Sequence, residues 1–144
     1  MPDELQPAQP QSLYEAVGGA PTFTRIAARF YELVAVDEVL RPLYPEGELA
    51  AAEERMRLFL IQRWGGPADY TALRGAPRIG ARHLPFKIAR PQRDAWLRAM
   101  RTAVDEAGLE PAHHLEIWTF LENLAWNLTT HASPKPPPVS PSRP

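Results

Sequence analysis

The sequence predicts an all-α protein. Apolar side chains recur at three- and four-residue spacing through its long stretches, and Gly and Pro cluster between those stretches. No run alternates apolar and polar residues between hairpin turns, so no strand is assigned.

The elements follow in order. Leu13–Val17 reads as a short helix closed by Gly18-Gly19, where glycine admits the positive φ of a sharp turn. Pro21 suits a helix start. From there Phe23, Ile26, Ala27, Phe30 and Val34 form one stripe. Asp37 is placed to cap a short following helix that Pro42 and Pro45 bound or kink. Leu49, Ala52, Met56, Phe59 and Leu60 make the next stripe, which stops at Trp64 before Gly65-Gly66-Pro67. Residues 67–90 are dense in Gly, Pro and Arg and show no long period. A single helical turn is expected there over Ile79–Leu84, stopped by Pro85. Past Pro91, the residues Trp96, Met100, Ala103 and Ala107 define a long helix ending near Gly108. Pro111 opens the last helix. Its apolar set (Leu115, Trp118, Leu121, Leu124, Ala125, Leu128) is wide enough to predict burial around much of the circumference.

Both ends lack the side chains of a core. Residues 1–12 hold three Pro and three Gln, and residues 133–144, SPKPPPVSPSRP, hold six Pro. The first is expected to be a flexible tail and the second a disordered one, leaving one domain over 13–132. A PxxP ligand is the sharper reading of the C-terminal tail; a solvated tail is the preferred one.

Composition removes several function classes. With 44 % hydrophobic and 23 % charged residues, the chain has the makings of a globular core. No apolar run is long enough to span a bilayer, and the polar start carries no signal-peptide core, which points to the cytoplasm. The absence of Cys excludes disulfides, thiolate metal sites and a Cys nucleophile. A net charge of −1 argues against nucleic acid or an anionic membrane as partner. Fourteen of the 16 basic residues are Arg, the better partner for a planar carboxylate, although compositional bias is the preferred reading of the count alone.

Familiar catalytic signatures are missing: there is no phosphate-binding loop, no GxSxG and no HExxH. No two of the four His are spaced i, i+4, so a helical two-His metal site is not indicated. His113, His114 and His131 flank the last helix and are expected in solvent. His83, between Arg82 and Leu84 in GARHLPF, stands apart. A lone His of this kind is most often held by a backbone hydrogen bond. The alternative is one axial ligand to an iron porphyrin, which needs only one because the macrocycle supplies four nitrogens. Tyr31, Tyr44 and Trp96 sit at core-like positions, where a buried O–H or N–H needs either a backbone partner or a ligand.

Five segments in order then carry a resemblance: LYEAVGG (13–19), RFYELVAVDEVLRPLYPE (29–46), AAEERMRLFLIQRWGGP (51–67), RHLPFKI (82–88) and RDAWLRAM (93–100). Over essentially all of residues 12–132 the chain resembles the group II, O-type truncated haemoglobins. The resemblance implies a globin-like fold, a shortened two-over-two helical sandwich around haem b (iron protoporphyrin IX). It places the proximal iron ligand at His83 and the distal hydrogen-bonding trio at Tyr31, Tyr44 and Trp96. Ala52 stands where many globins have a distal His, and Met56 where many members have Leu. Arg55 matches a basic position that pairs with a haem propionate. Trp64, Phe59, Phe86 and Met56 are expected along the apolar pocket, with Tyr70 and Arg82 completing the cofactor contacts. Gly80 departs from a frequent large basic residue before the proximal His.

Under this resemblance one ring nitrogen of His83 meets the iron and the other is held by a backbone carbonyl. Ala52 cannot donate to a gas ligand, so the trio must. The first functional expectation is a haem protein that binds oxygen or another diatomic gas at a five-coordinate iron with tight distal hydrogen bonding. A haem redox enzyme acting on peroxide, nitric oxide or peroxynitrite is the alternative. It would draw electrons from an external reductant, since no flavin or nicotinamide motif is visible. A haem-free helical interaction module is the third. An oligomer is compatible with all of these.

Overall fold

The computed structural model describes residues 12–77 and 88–129. The N-terminal tail before Ser12, the turn expected over Ile79–Leu84, His83, Arg82, Phe86, Gly80, His131 and the tail over 133–144 lie outside the described residues.

The described residues are helical and contain no strand. The first helix, α1, covers Leu13–Ala16. Ser12, assigned to the tail by composition, caps it: Ser12 Oγ accepts from Glu15 N at 3.1 Å while Glu15 Oε1 accepts from Ser12 N at 3.3 Å. After Gly18 (φ 106°) and Gly19 (φ 76°) the chain enters α2, Ala20–Ala35, with Pro21 in its first turn. Its buried face is the expected stripe, Phe23, Ile26, Ala27, Phe30 and Val34, widened by Thr22 and Tyr31.

The short helix expected after Asp37 is a single 3-10 turn, Arg41–Leu43, with Pro42 inside it. Asp37 acts one step earlier: its Oδ1 accepts from Val39 N (2.8 Å) and Leu40 N (2.9 Å), turning the chain so that Leu40 drops into the core. The next helix, α3, spans Leu49–Arg63 and ends on Trp64 as its C-cap. Gly66 is required there, because a Cβ at this position would lie 2.6 Å from Ile61 Cγ2 and 2.8 Å from the Tyr14 ring.

Sequence periodicity missed the next element, α4, Asp69–Arg74. Six residues are too few to show a period. The helix is tied to α3 by Gln62, which donates to Thr71 Oγ1 (2.6 Å) and accepts from Thr71 N (2.9 Å). Beyond residue 88, α5 covers Arg90–Glu106 and α6 covers Pro111–Asn127.

Helix α2 packs on α3, α5 packs on α6, and α2 also packs on α5, which gives two helix pairs, one over the other. One continuous core, including Phe23, Phe30, Val34, Leu60, Met100 and Ile117, sits between them. The last helix is less buried than its composition suggested. Ile117, Leu121 and Ala125 form one buried line, while Leu115 is 66 % exposed. At about 100° per residue, Leu115 points nearly opposite Ile117 and so away from α5. His114, expected in solvent, is half-buried: its Nε2 lies 2.6 Å from Asp105 Oδ1, joining the start of α6 to the end of α5. Arg29 makes the matching link from α2, meeting Glu106 at 2.9 Å. Among the described residues no helix is long and apolar enough to cross a membrane.

Candidate functional site

The two helix pairs do not close completely. Between α3 and the facing surfaces of α5 and α6 lies a cavity of about 480 Å³, within the range of small-molecule and cofactor sites. Ala52, Met56, Phe59 and Leu60 form its α3 wall, and Leu121, Leu124, Ala125 and Leu128 its α6 wall. This second face of α6 explains why its apolar set is wider than its buried line.

One end of the cavity is polar and aromatic. Tyr31 arrives from α2, Tyr44 from the residue after the 3-10 turn and Trp96 from α5. The Tyr31 and Tyr44 hydroxyls are 3.5 Å apart, and their rings meet edge to face at 5.6 Å. Phe30 joins the third member, with its ring centroid 4.9 Å from Tyr31 and 5.5 Å from Trp96. Tyr44 is fixed from outside by Arg41, whose Nη1 donates to the Tyr44 carbonyl at 3.0 Å. Burial pushes both phenols above the ordinary tyrosine pKa. Each hydroxyl affects the other in the second place, and the nearby Arg55 charge opposes the rise. Both therefore stay protonated at neutral pH.

Two hydroxyls that share one hydrogen bond leave one O–H proton uncommitted. The Trp96 indole N–H makes no hydrogen bond to a described residue and lines the same space. The cavity thus offers donors at one end and, at Ala52, a side chain that offers none.

The expected pocket residues divide as follows. Tyr31, Tyr44, Trp96, Ala52, Arg55, Met56, Phe59 and Tyr70 all line the cavity. Trp64 does not. It lies beyond the end of α3 and turns to α6, where its ring meets Phe120 edge to face at 5.5 Å and carries the Arg63 guanidinium at 4.4 Å. It is 5 % exposed, a core residue, and its Nε1 is buried without a partner. His83, Arg82 and Phe86 fall outside the described residues. Sequence reasoning missed Arg74, Gln92 and Arg93, which also line the cavity. Gln92 and Arg93 precede Trp96 on the same helical face, which was the available signal.

The surroundings fit a large, flat, mostly apolar group with anionic substituents: long apolar walls, donors at one end, and the guanidinium groups of Arg55, Arg74 and Arg93. No group of three His, Cys, Asp or Glu that could hold a metal by itself occurs among the described residues. A metal carried by its own macrocycle would need only one protein ligand.

Comparison with known proteins agrees with this geometry. A model of the family described as bacterial-like globin matches residues 12–130. The group 2 truncated hemoglobin YjbI of Bacillus subtilis (strain 168) is 41 % identical over 97 residues, covering 67 % of this chain and 72 % of the relative. Among solved structures, a thermostable hemoglobin from the actinobacterium Thermobifida fusca is 50 % identical with a TM-score of 0.82, covering 84 % of this chain and 98 % of that one. The group II truncated hemoglobin from Bacillus anthracis is 30 % identical with a TM-score of 0.82, covering 88 % and 96 %. With its two-over-two helices and a match along most of its length, the chain belongs to the bacterial-like globins, among the group II truncated haemoglobins.

Proposed function

We propose that the cavity holds haem b, that His83 is its protein ligand to iron, and that the protein binds a diatomic gas, oxygen foremost, beneath Tyr31, Tyr44 and Trp96. Haem, when bound, would supply an iron able to take up a gas. The chain's own residues do the rest. Apolar walls from α3 and α6 exclude water from the site. Tyr31 and Tyr44, kept protonated by burial, and Trp96 would offer hydrogen-bond donors to a polar gas ligand held in the cavity. Ala52 leaves that task to them.

One observation carries this reading: the Tyr31–Tyr44 pair, with one O–H left uncommitted, and Trp96, whose N–H meets no described residue, line one cavity. Family membership supports the cofactor, and a relative described as a truncated oxygen-avid haemoglobin from Bacillus subtilis, 35 % identical with a TM-score of 0.78, supports the ligand. The test is titration of the purified chain with hemin. Stoichiometric uptake with a Soret band is expected, with weakened uptake or altered iron coordination in His83→Ala. Absence of uptake by the unaltered protein would overturn the reading.

A further inference from the structure

The cavity wall carries an unusual charge. Arg93 is only 4 % exposed, yet it lines the cavity. One face of its guanidinium lies 3.8 Å from the Trp126 ring centroid, and its Nε donates to Asp94 Oδ1 at 3.2 Å. Stacking uses the face of the group and leaves the in-plane N–H donors available. The Nη atoms make no hydrogen bond to any described residue, and the Asp94 carboxylate is itself shared with Arg90 at 4.0 Å. Asp94 meets only the Nε side of this cation, so a second anion in the cavity would find its Nη donors unused. The wall points the same way: among the described residues Arg55 also lines the cavity, and Glu48 is the one carboxylate there.

We propose that Arg93 is a carboxylate-binding residue of the cavity and that the carboxylate belongs to a porphyrin side chain. The proposal rests on the haem reading above and names a contact within that site. Trp126 holds the guanidinium plane, Asp94 fixes its Nε, and the Nη pair is left in the forked arrangement that suits a carboxylate.

The test uses metal-free porphyrins, which remove iron ligation from the measurement. The full chain is titrated with protoporphyrin IX and with its dimethyl ester, followed by quenching of tryptophan fluorescence, in the unaltered protein, Arg93→Met and Arg93→Lys. Circular dichroism checks that each variant keeps its helices. The unaltered protein is expected to prefer the free acid by roughly 10- to 100-fold, the range of a charge-assisted hydrogen bond. Arg93→Met should lose most of that preference while binding the ester nearly as before, and Arg93→Lys should keep part of it. An equal loss of acid and ester binding in Arg93→Met would reduce Arg93 to a packing residue and overturn the proposal, as would an unchanged acid-to-ester ratio. Excess acetate in the ester titration should have no effect. If acetate restored tight ester binding, the carboxylate would be a free anion and the assignment to the porphyrin would fall. Failure of the unaltered protein to bind either porphyrin, or binding of both without dependence on Arg93, would sink this proposal alone, whereas failure to take up hemin would sink the haem reading with it.

Discussion

Replacing Tyr31 by Phe separates the ligand-binding role of its hydroxyl from its packing role. The ring is 7 % exposed and is held edge to face by Phe30 and Tyr44, contacts that Phe preserves. The lost hydroxyl contact is long, 3.5 Å to Tyr44, against about 2.7–2.8 Å for a strong O–H···O bond. Its loss should therefore cost the fold about 0.5 kcal/mol, the low end for a hydrogen bond. A donor to a charged ligand atom contributes about 1.5–3 kcal/mol, and about 1.4 kcal/mol is tenfold, so oxygen dissociation should rise roughly 10- to 100-fold. The assay is stopped-flow displacement of oxygen by excess carbon monoxide from the haem-loaded protein, with thermal unfolding run alongside. Carbon monoxide draws less electron density, so its own dissociation should rise less. Tyr44→Phe and the double variant complete a cycle: hydroxyls acting through one shared bond should give non-additive effects. An oxygen off-rate unchanged in Tyr31→Phe would refute the reasoning, and so would a rise matched by carbon monoxide.

Three further outcomes are expected. Arg41→Ala removes the donor to the Tyr44 carbonyl, so oxygen dissociation should rise by up to roughly tenfold, with Tyr31 unaltered; an unchanged rate would show that Tyr44 needs no such support. Burial raises the pKa of both phenols above about 10, so their contribution to stability is intact below that pH and is lost as pH climbs toward the folded-state values. Alkaline unfolding, followed by circular dichroism, should accordingly be shallower in the Tyr31→Phe, Tyr44→Phe double variant, and an unchanged pH profile would refute this. Gly66→Ala forces a methyl against Ile61 and Tyr14 and should cost about 1–3 kcal/mol, read as a lowered unfolding midpoint.

Why some of this was legible in sequence and some was not has a physical answer. Helix ends were readable because Gly18, Gly19 and Gly65 (φ 102°) take conformations that few other residues adopt, and Gly66 has no room for a Cβ. The polar trio was readable because residue type alone restricts what a buried Tyr or Trp can do. Helix α4 was not, since it is held by the Gln62–Thr71 exchange, a tertiary contact without periodicity. Trp64 follows Leu60 by one helical turn, which suggested the pocket, yet it packs on Phe120 and stays out of the cavity lining; periodicity cannot tell those two neighbours apart. Arg93 was overlooked for the opposite reason: a charged residue on an apolar face reads as surface, and only the Trp126 stack shows that it is not.

The wide apolar set on α6 shows where sequence patterning reaches its limit. Leu121 and Ala125 satisfy two demands at once, facing both the protein core and the cavity. Leu124 and Leu128 are only half-buried and line the cavity. Periodicity records that a side chain avoids water, not whether protein or ligand takes the water's place. A stripe broader than the neighbouring helix can cover is therefore a sign of a missing occupant. On α6 the excess falls on the cavity side, opposite the end of α3 that carries Ala52 and Met56. Substituting Leu124 by Asp would test this directly. The protein core does not depend on that side chain, so the helical signal should survive while hemin uptake weakens by roughly tenfold or more, the effect of setting a carboxylate against an apolar ligand surface. Uptake equal to that of the unaltered chain would mean that this strip of α6 faces nothing but solvent.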